Sequence, residues 1–236
     1  MQISHLVKNE LRALSVPNKS EAMQRFFKTG KGEYGEGDVF IGVSVPNQRL
    51  IAKAYYQDAT QKDISDLLES VYHEERLTAV FILVLKYKAD KKKNEHQKWV
   101  DLYLQKTDCI NNWDLVDSSA HLILGDWLDK KERTILQELA KSPHLWENRI
   151  AIVSTLHFIR NNDIKDAMLI TEKLMEHPHD LIHKACGWML REAWQKQPEA
   201  IETFLDQYAP KMPRTMLRYT IEKLNENLRQ YYLKLK

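Results

Sequence analysis

Glycine and proline are scarce in this chain, with 7 of each in 236 residues. Together they make up about 6%, where average usage is about 12%. A turn-rich β fold needs these residues at many corners, and an α/β nucleotide binder needs glycine in its phosphate turns, so both classes are disfavoured. Long helices with short connections suit the composition better. Cysteine is nearly missing as well, with Cys109 and Cys186 alone. No CxxC pair exists, which argues against a structural zinc site or a disulfide framework and for a reduced, cytoplasmic protein. Strong charge of either sign is also lacking: 35 Lys and Arg against 33 Asp and Glu give a net +2. That balance neither demands nor excludes a polyanionic partner, and any basic surface must come from gathering cations on one face. The most apolar run, residues 77–85, falls far short of the ~20 residues that span a bilayer. The first residues, MQISHLVKNELRAL, carry charge throughout and lack the apolar core of a signal peptide.

What is present is helical period. Hydrophobic residues at 43% and charged residues at 29% allow a buried core. Ile3, Leu6, Val7, Leu11 and Leu14 fall at helical spacing. A second helix is predicted over 18–28. It is followed by the one glycine-rich stretch, GKGEYGEG at 30–37, and by VFIGV. Pro46 suits the first turn of a helix running to about residue 58. Beyond that, helices are predicted in pairs: 61–70 with 74–88, 95–106 with 113–128, 131–141 with 145–160, 164–176 with 181–195, and 198–208 with 213–224. A last helix is predicted over 226–233. In the second members, Arg76, Trp113, Arg149 and Lys184 recur at intervals of 37, 36 and 35 residues. This is a degenerate helix-pair repeat near the length of HEAT-like units. It predicts an all-α fold, a single HEAT-like repeat domain over 1–236. Residues 1–58 supply N-terminal helices and the glycine-rich loop, and 59–236 supply the repeated pairs. Stacked pairs would form a curved α-solenoid whose concave face is lined by the second helices, with the repeated basic positions along one groove.

Trp113 and Asp117 are four residues apart and share a helical face, whereas Asp114 lies about 100° from Trp113 and turns elsewhere. Asn111 or Asn112 suits the N-cap. Taken alone, this pair reads as a first-turn acid beside a packed indole. Arg149 alone reads as a solvated cation and Trp188 alone as core. Trp188 and Arg191 are three apart and share a face. The conjunction is what single-residue readings leave over: a Trp with a carboxylate, then an Arg, then a Trp with an Arg, on successive second helices.

These residues carry a resemblance. WDLVD at Trp113–Asp117, WENRIAI at 146–152 and KACGWMLRE at 184–192 resemble the AlkD-like DNA alkylation repair glycosylases, which are built from HEAT-like repeats. The resemblance extends over most of the chain. It implies that Asp117 is the catalytic carboxylate, that Trp113 and Trp188 flank the lesion, and that Arg149 and Arg191 are cleft arginines. RFFK matches the segment where the family places a further DNA-contacting aromatic, usually Tyr, which makes Phe26 a weaker DNA contact. The implied activity is hydrolysis of the N-glycosidic bond of positively charged N3- or N7-alkylated purines. The implied partner is duplex DNA carrying alkylated bases, with no cofactor, no metal and no membrane, and a monomer is expected. The glycine-rich insertion at 30–37 departs from the family pattern.

Other signals point less far. Residues 30–35 formally match GxGxxG, but no βαβ context surrounds them. A loop with positive-φ glycines is the better account, with a further role near DNA open to its backbone N–H groups and to Lys31. Lys184 is a weaker DNA contact on the same helix as Trp188. His177, His179 and His183 have a spacing seen in metal sites, but they lie in a helix-to-helix turn without a completing carboxylate or Cys set. Lys91–Lys93 reads as a solvated charge run. A competing reading of the whole chain is a non-catalytic HEAT-like module that binds DNA or protein. A third is a relative that recognises branched or otherwise unusual DNA.

Overall fold

The computed structural model describes residues 2–235, and among them the chain is helical without strands. A single parallel bridge between Val39 and Tyr72 is the extent of β pairing among the described residues. The all-α expectation therefore holds. The chain divides into two compact units, one ending at Ser119 and the other starting at Ala120.

The first unit contains α1 (Ile3–Ala13), α2 (Pro17–Phe26), α3 (Val45–Tyr55), α4 (Gln61–Leu68), α5 (His73–Lys91), α6 (Gln97–Gln105) and α7 (Trp113–Asp117). Proline opens α2 and α3, where its missing N–H costs no hydrogen bond. Thr60 and Asp63 form a reciprocal capping box that starts α4, and Asp63 also accepts the backbone N–H of Ser4. α5 is the central element. It packs against α1, α3, α4, α6 and α7. Its run from Leu77 to Val84 is buried on every face, which is why this helix shows no polar side there. It is also the most apolar stretch of the sequence, and no described helix is long and apolar enough to cross a membrane.

The second unit contains α8 (Thr134–Leu139), α9 (Leu145–Ser154), α10 (Leu156–Arg160), α11 (Lys165–Lys173), α12 (Asp180–Trp194), α13 (Pro198–Tyr208), α14 (Arg214–Thr220) and α15 (Glu226–Lys234). Here α12 is central, in contact with α9, α10, α11, α13 and α14. It buries Ile182, Ala185, Cys186, Met189, Leu190 and Ala193. Gly187 sits among them because α14 comes very close. A Cβ there would lie 2.5 Å from the Met216 carbonyl oxygen and 2.5 Å from Tyr219 Cβ.

Two predicted helices are broken. The one expected over 113–128 stops as α-helix at Asp117. Ser119 Oγ donates back to the Leu115 carbonyl at 2.6 Å, an alternative to regular helix that serine readily takes. The chain then makes a π turn over His121–Gly125, closed by the Gly125 N–H on the Ala120 carbonyl at 2.9 Å. The helix expected over 145–160 divides at Thr155. There Ser154 Oγ and Thr155 Oγ1 donate to the Ile150 and Ile152 carbonyls, each at 2.7 Å. The helix expected over 131–141 is shorter, and the one over 213–224 ends in a 3-10 turn at Ile221–Lys223.

Gly187→Ala is expected to push α12 and α14 apart and to destabilise the protein by about 1–3 kcal/mol, as overpacking does. Urea unfolding with intrinsic fluorescence would measure it, and a midpoint equal to wild type would refute the close contact.

Candidate functional site

In the first unit the candidate residues are assembled around α7. Asn112 is its N-cap: Asn112 Oδ1 accepts the Trp113 backbone N–H at 2.8 Å. Asn112 Nδ2 donates to Asp38 Oδ2 at 3.0 Å. Asp114 is the first-turn acid, and it points at His73. Asp117 instead closes α7, half-buried, at the end where the helix dipole disfavours a carboxylate. The reading of Asp117 as a dipole-stabilised first-turn acid is therefore corrected. Trp113 is half-buried, and its indole stacks on Phe27 at 5.1 Å between centroids and 7° between planes. Phe26 is 67% exposed and meets Trp113 edge-on at 6.1 Å. The far end of α7 is pinned through Ser119, whose Oγ lies 3.0 Å from the Tyr103 hydroxyl of α6.

The glycine-rich segment delivers Asp38 to this assembly. Gly35 lies so close to the end of α2 that a Cβ would stand 2.5 Å from the Phe27 carbonyl oxygen, and its N–H donates to the Lys28 carbonyl. Gly32 and Gly37 adopt positive φ, as expected of this loop. Its amides are already engaged: Gly30 N–H donates to Glu33 and Gly32 N–H to Glu36. In this structure the loop's own carboxylates occupy those two N–H groups. Lys31 is exposed on this loop.

Sequence reasoning missed the centre of the assembly, His73, which is 1% exposed. One ring nitrogen, Nδ1, lies 3.1 Å from Asp38 Oδ2 and the other, Nε2, lies 2.9 Å from Asp114 Oδ2. The ring stacks on Phe40 at 4.4 Å, and Phe40 stacks on Phe27. Burial disfavours the imidazolium, but the Asp114 charge and hydrogen bond and the Asp38 hydrogen bond outweigh it, and the His73 pKa is pushed up to about 8. Arg76 works in the opposite direction on His73 while donating to Asp38. Asp38 itself is buried, which raises its pKa, yet hydrogen bonds from His73 and Asn112 and the Arg76 charge hold it below the usual carboxylate value. The signal available in the sequence was weak: a charged run, HEER, at the start of an otherwise apolar helix.

In the second unit α9 and α12 pack together and carry the other candidates. Arg149 is 5% exposed, and its Nη1 donates to the Leu181 carbonyl at 2.7 Å. It is not a solvated first-turn cation; it binds the start of α12. Arg76 at the equivalent place in α5 is likewise buried at 4% exposure. The expectation that these repeated basic positions face a groove is corrected for Arg76, which is engaged by Asp38 and the Ser70 carbonyl. Lys184 pairs with Asp180 at 2.8 Å. Trp188 and Arg191 share a face and are both half-buried. Glu192 serves both, accepting from Trp188 Nε1 at 3.2 Å and lying 3.8 Å from Arg191. Arg191 also pairs with Glu222, while its Nε is buried and meets no acceptor among the described residues.

His177 and His179 cap the start of α12, and His183 lies in its first turn with Nε2 against the His177 carbonyl oxygen. His177 Nδ1 accepts the His179 N–H and His179 Nδ1 accepts the Leu181 N–H. Burial and the neighbouring histidines lower the His177 pKa, and burial lowers that of His179, consistent with neutral acceptors. No group of three or more His, Cys, Asp or Glu among the described residues could hold a metal ion.

The model of the DNA alkylation repair enzyme family matches residues 7–224, so the chain belongs to that family. Among solved structures it is similar to one described as a predicted DNA alkylation repair enzyme from Enterococcus faecalis. The identity is 16% and the TM-score 0.68, covering 90% of this chain and 97% of that one, a likeness of fold. No curated protein matches the sequence.

A pH dependence follows from the His73 cluster. The folded His73 pKa of about 8 exceeds the ordinary 6.5, so its stabilisation is complete below pH 6.5 and is lost as pH rises through 8. Asp38 acts in the opposite sense, its contribution being lost only as pH falls below the ordinary 3.8. Urea-unfolding free energy should decline between pH 6.5 and 9, and this decline should flatten in His73→Gln. Equal slopes would refute the charged assignment.

Proposed function

We propose that the protein is a monofunctional DNA glycosylase that hydrolyses the N-glycosidic bond of positively charged N3- and N7-alkylated purines in duplex DNA. The reading assigns functional roles to Trp113 and Asp117 in the first unit and to Arg149, Trp188 and Arg191 in the second. The observation that carries it is Asp117. It is a half-buried carboxylate at the end of α7 that the helix dipole does not favour, one turn from an indole already braced by Phe27. A carboxylate so placed beside an indole is suited to a developing cation.

Alkylation at N3 or N7 places positive charge on the purine and weakens its bond to the sugar. As the bond breaks, its electron pair goes to the base, which leaves neutral, and positive charge builds on the deoxyribose. Asp117 stabilises that charge electrostatically, as carboxylates do in glycoside hydrolysis. A water then forms the new bond to C1′ and releases a proton to the carboxylate or to solvent. Because the base leaves neutral, no strong general acid is required. Trp113 and Trp188 pack against the sugar and favour nearby positive charge. Arg191 exchanges Glu222 for a phosphate. Such phosphate contacts position DNA without reading its sequence. Arg149, already engaged inside the second unit, acts by holding the start of α12 in addition to any phosphate contact.

Asp117→Asn should retain most DNA affinity and lose excision. Removing one preorganised electrostatic partner costs about 2.7–4 kcal/mol, or roughly a hundred- to thousand-fold in rate. Single-turnover release of a methylated purine from duplex DNA, alongside a binding titration at fixed salt, would measure both. Wild-type binding without base release would mean a binding module instead, and wild-type excision by the variant would remove Asp117 from the chemistry.

Arg191→Ala should weaken binding to all duplex sequences and lower the slope of log affinity against log salt by about one unit. An unchanged slope would show that Arg191 stays with Glu222.

A further inference from the structure

We propose that His73 is the positioning residue of this site: clamped as an imidazolium between Asp38 and Asp114, it fixes the start of α7 and with it the setting of Trp113 and Asp117. The proposal rests on the glycosylase reading for its effect on catalysis, but not for its effect on α7.

α7 has only 5 residues. A helix this short has no stability of its own and takes its place from tertiary contacts. Three of those contacts converge on its first turn. Asn112 caps it and reaches Asp38, Asp114 reaches His73, and Trp113 stacks on Phe27. His73 joins two of the three, because Asp38 and Asp114 bind its two nitrogens, and it also stacks on Phe40 behind Phe27. A neutral imidazole carries one N–H and cannot donate to both carboxylates, so one of the two contacts would become a repulsion between lone pairs. The double clamp therefore needs both protons on the ring.

The charged groups around His73 are accounted for on each element that packs there. Asp38 approaches from the glycine-rich segment and Asp114 from α7. Arg76 lies one turn on in α5 and neutralises part of the Asp38 charge. Glu74 turns away to accept the N–H groups of Ile41, Gly42 and Val43. Glu75 accepts from the Ser70 hydroxyl and pairs with Lys8 and Arg12. The two carboxylates on the ring are thus its immediate charge partners, with Arg76 opposing, and the raised His73 pKa agrees with that balance.

The consequence is a coupling between the glycine-rich insertion and the candidate catalytic helix. Asp38 follows directly after 30–37, so the conformation of that loop reaches α7 through one imidazole. Displacement of a reacting group by about 1 Å can cost on the order of a hundredfold in rate.

The test uses the full chain as wild type, His73→Gln and Asp114→Asn. Gln donates to only one of the two carboxylates without charge. Asp114→Asn leaves His73 and Asp38 in place and removes the charge on the α7 side. Hydrogen exchange of the segment 112–119 reports the setting of α7 directly. Single-turnover excision of a methylated purine and duplex affinity are measured on the same samples from pH 6.5 to 9. Expected results are faster exchange over 112–119 in both variants, with the exchange of α12 unchanged. Excision should fall by roughly a hundredfold, with affinity nearly retained. Wild-type protection of α7 and wild-type excision should both decline as pH rises past 8, and His73→Gln should show no such step. Unchanged exchange over 112–119 in Asp114→Asn overturns the proposal, also where His73→Gln unfolds. A pH profile shared by wild type and His73→Gln overturns it as well. Absence of excision in wild type would instead overturn the glycosylase reading, and the exchange measurements would still decide the role of His73.

Discussion

The first turn of α5 carries four consecutive ionisable residues, His73, Glu74, Glu75 and Arg76, and all four are buried. Isolated charges in such a place would cost several kcal/mol each. Each therefore imposes a partner on the chain around it. Glu74 gathers the backbone N–H groups of residues 41–43, Glu75 holds Ser70 and the basic side of α1, and His73 and Arg76 share Asp38. The glycine-rich segment, α1, the α4–α5 turn and α7 are all tied to this one turn. The apolar remainder of α5 supplies cohesion, and its charged start supplies arrangement.

The second unit solves a similar problem with fewer charges. α12 is held by close approach of α14 at Gly187 and by hydrogen bonds at its start, where Arg149, His177 and His179 satisfy or extend the terminal backbone groups. Half-buried functional types follow directly along the same helix: Lys184, Trp188 and Arg191. In both units the residues that resemble a repair site stand just beyond a strongly constrained helix start. Such placement lets side chains remain accessible while their backbone is fixed, which suits preorganised electrostatics.

Family membership was legible in the sequence because its most specific segments are local. Trp113–Asp117 and 184–192 each bring several distinctive residues within one or two helical turns. Helix content was legible for a similar reason: apolar spacing at 3.6 residues is a local signal, and few glycines or prolines interrupt it. The breaks at residues 118–120 and at Thr155 were not visible. Ser and Thr hydroxyls sit in regular helices as well as in broken ones, and which of the two occurs depends on what packs beside them. Gly187 is a single residue whose purpose is a neighbouring helix, and spacing carries no record of that neighbour.

By itself, then, the sequence determined the helical class, the family, and the residues around which a candidate site is built. Tertiary structure decided their roles within each unit. Asp114 and Asp117 differ by three positions and were distinguishable only as two directions on a helix; folding gave Asp114 to His73 and left Asp117 at the close of α7. Arg149 looked like a surface cation and became an internal donor. Asp38 and His73, 35 residues apart, carried no shared signal at all until the chain brought them to 3.1 Å. The physical reason is common to all three. Burial and charge pairing are properties of a position in three dimensions, and a titratable side chain acquires its protonation state and its partner only there.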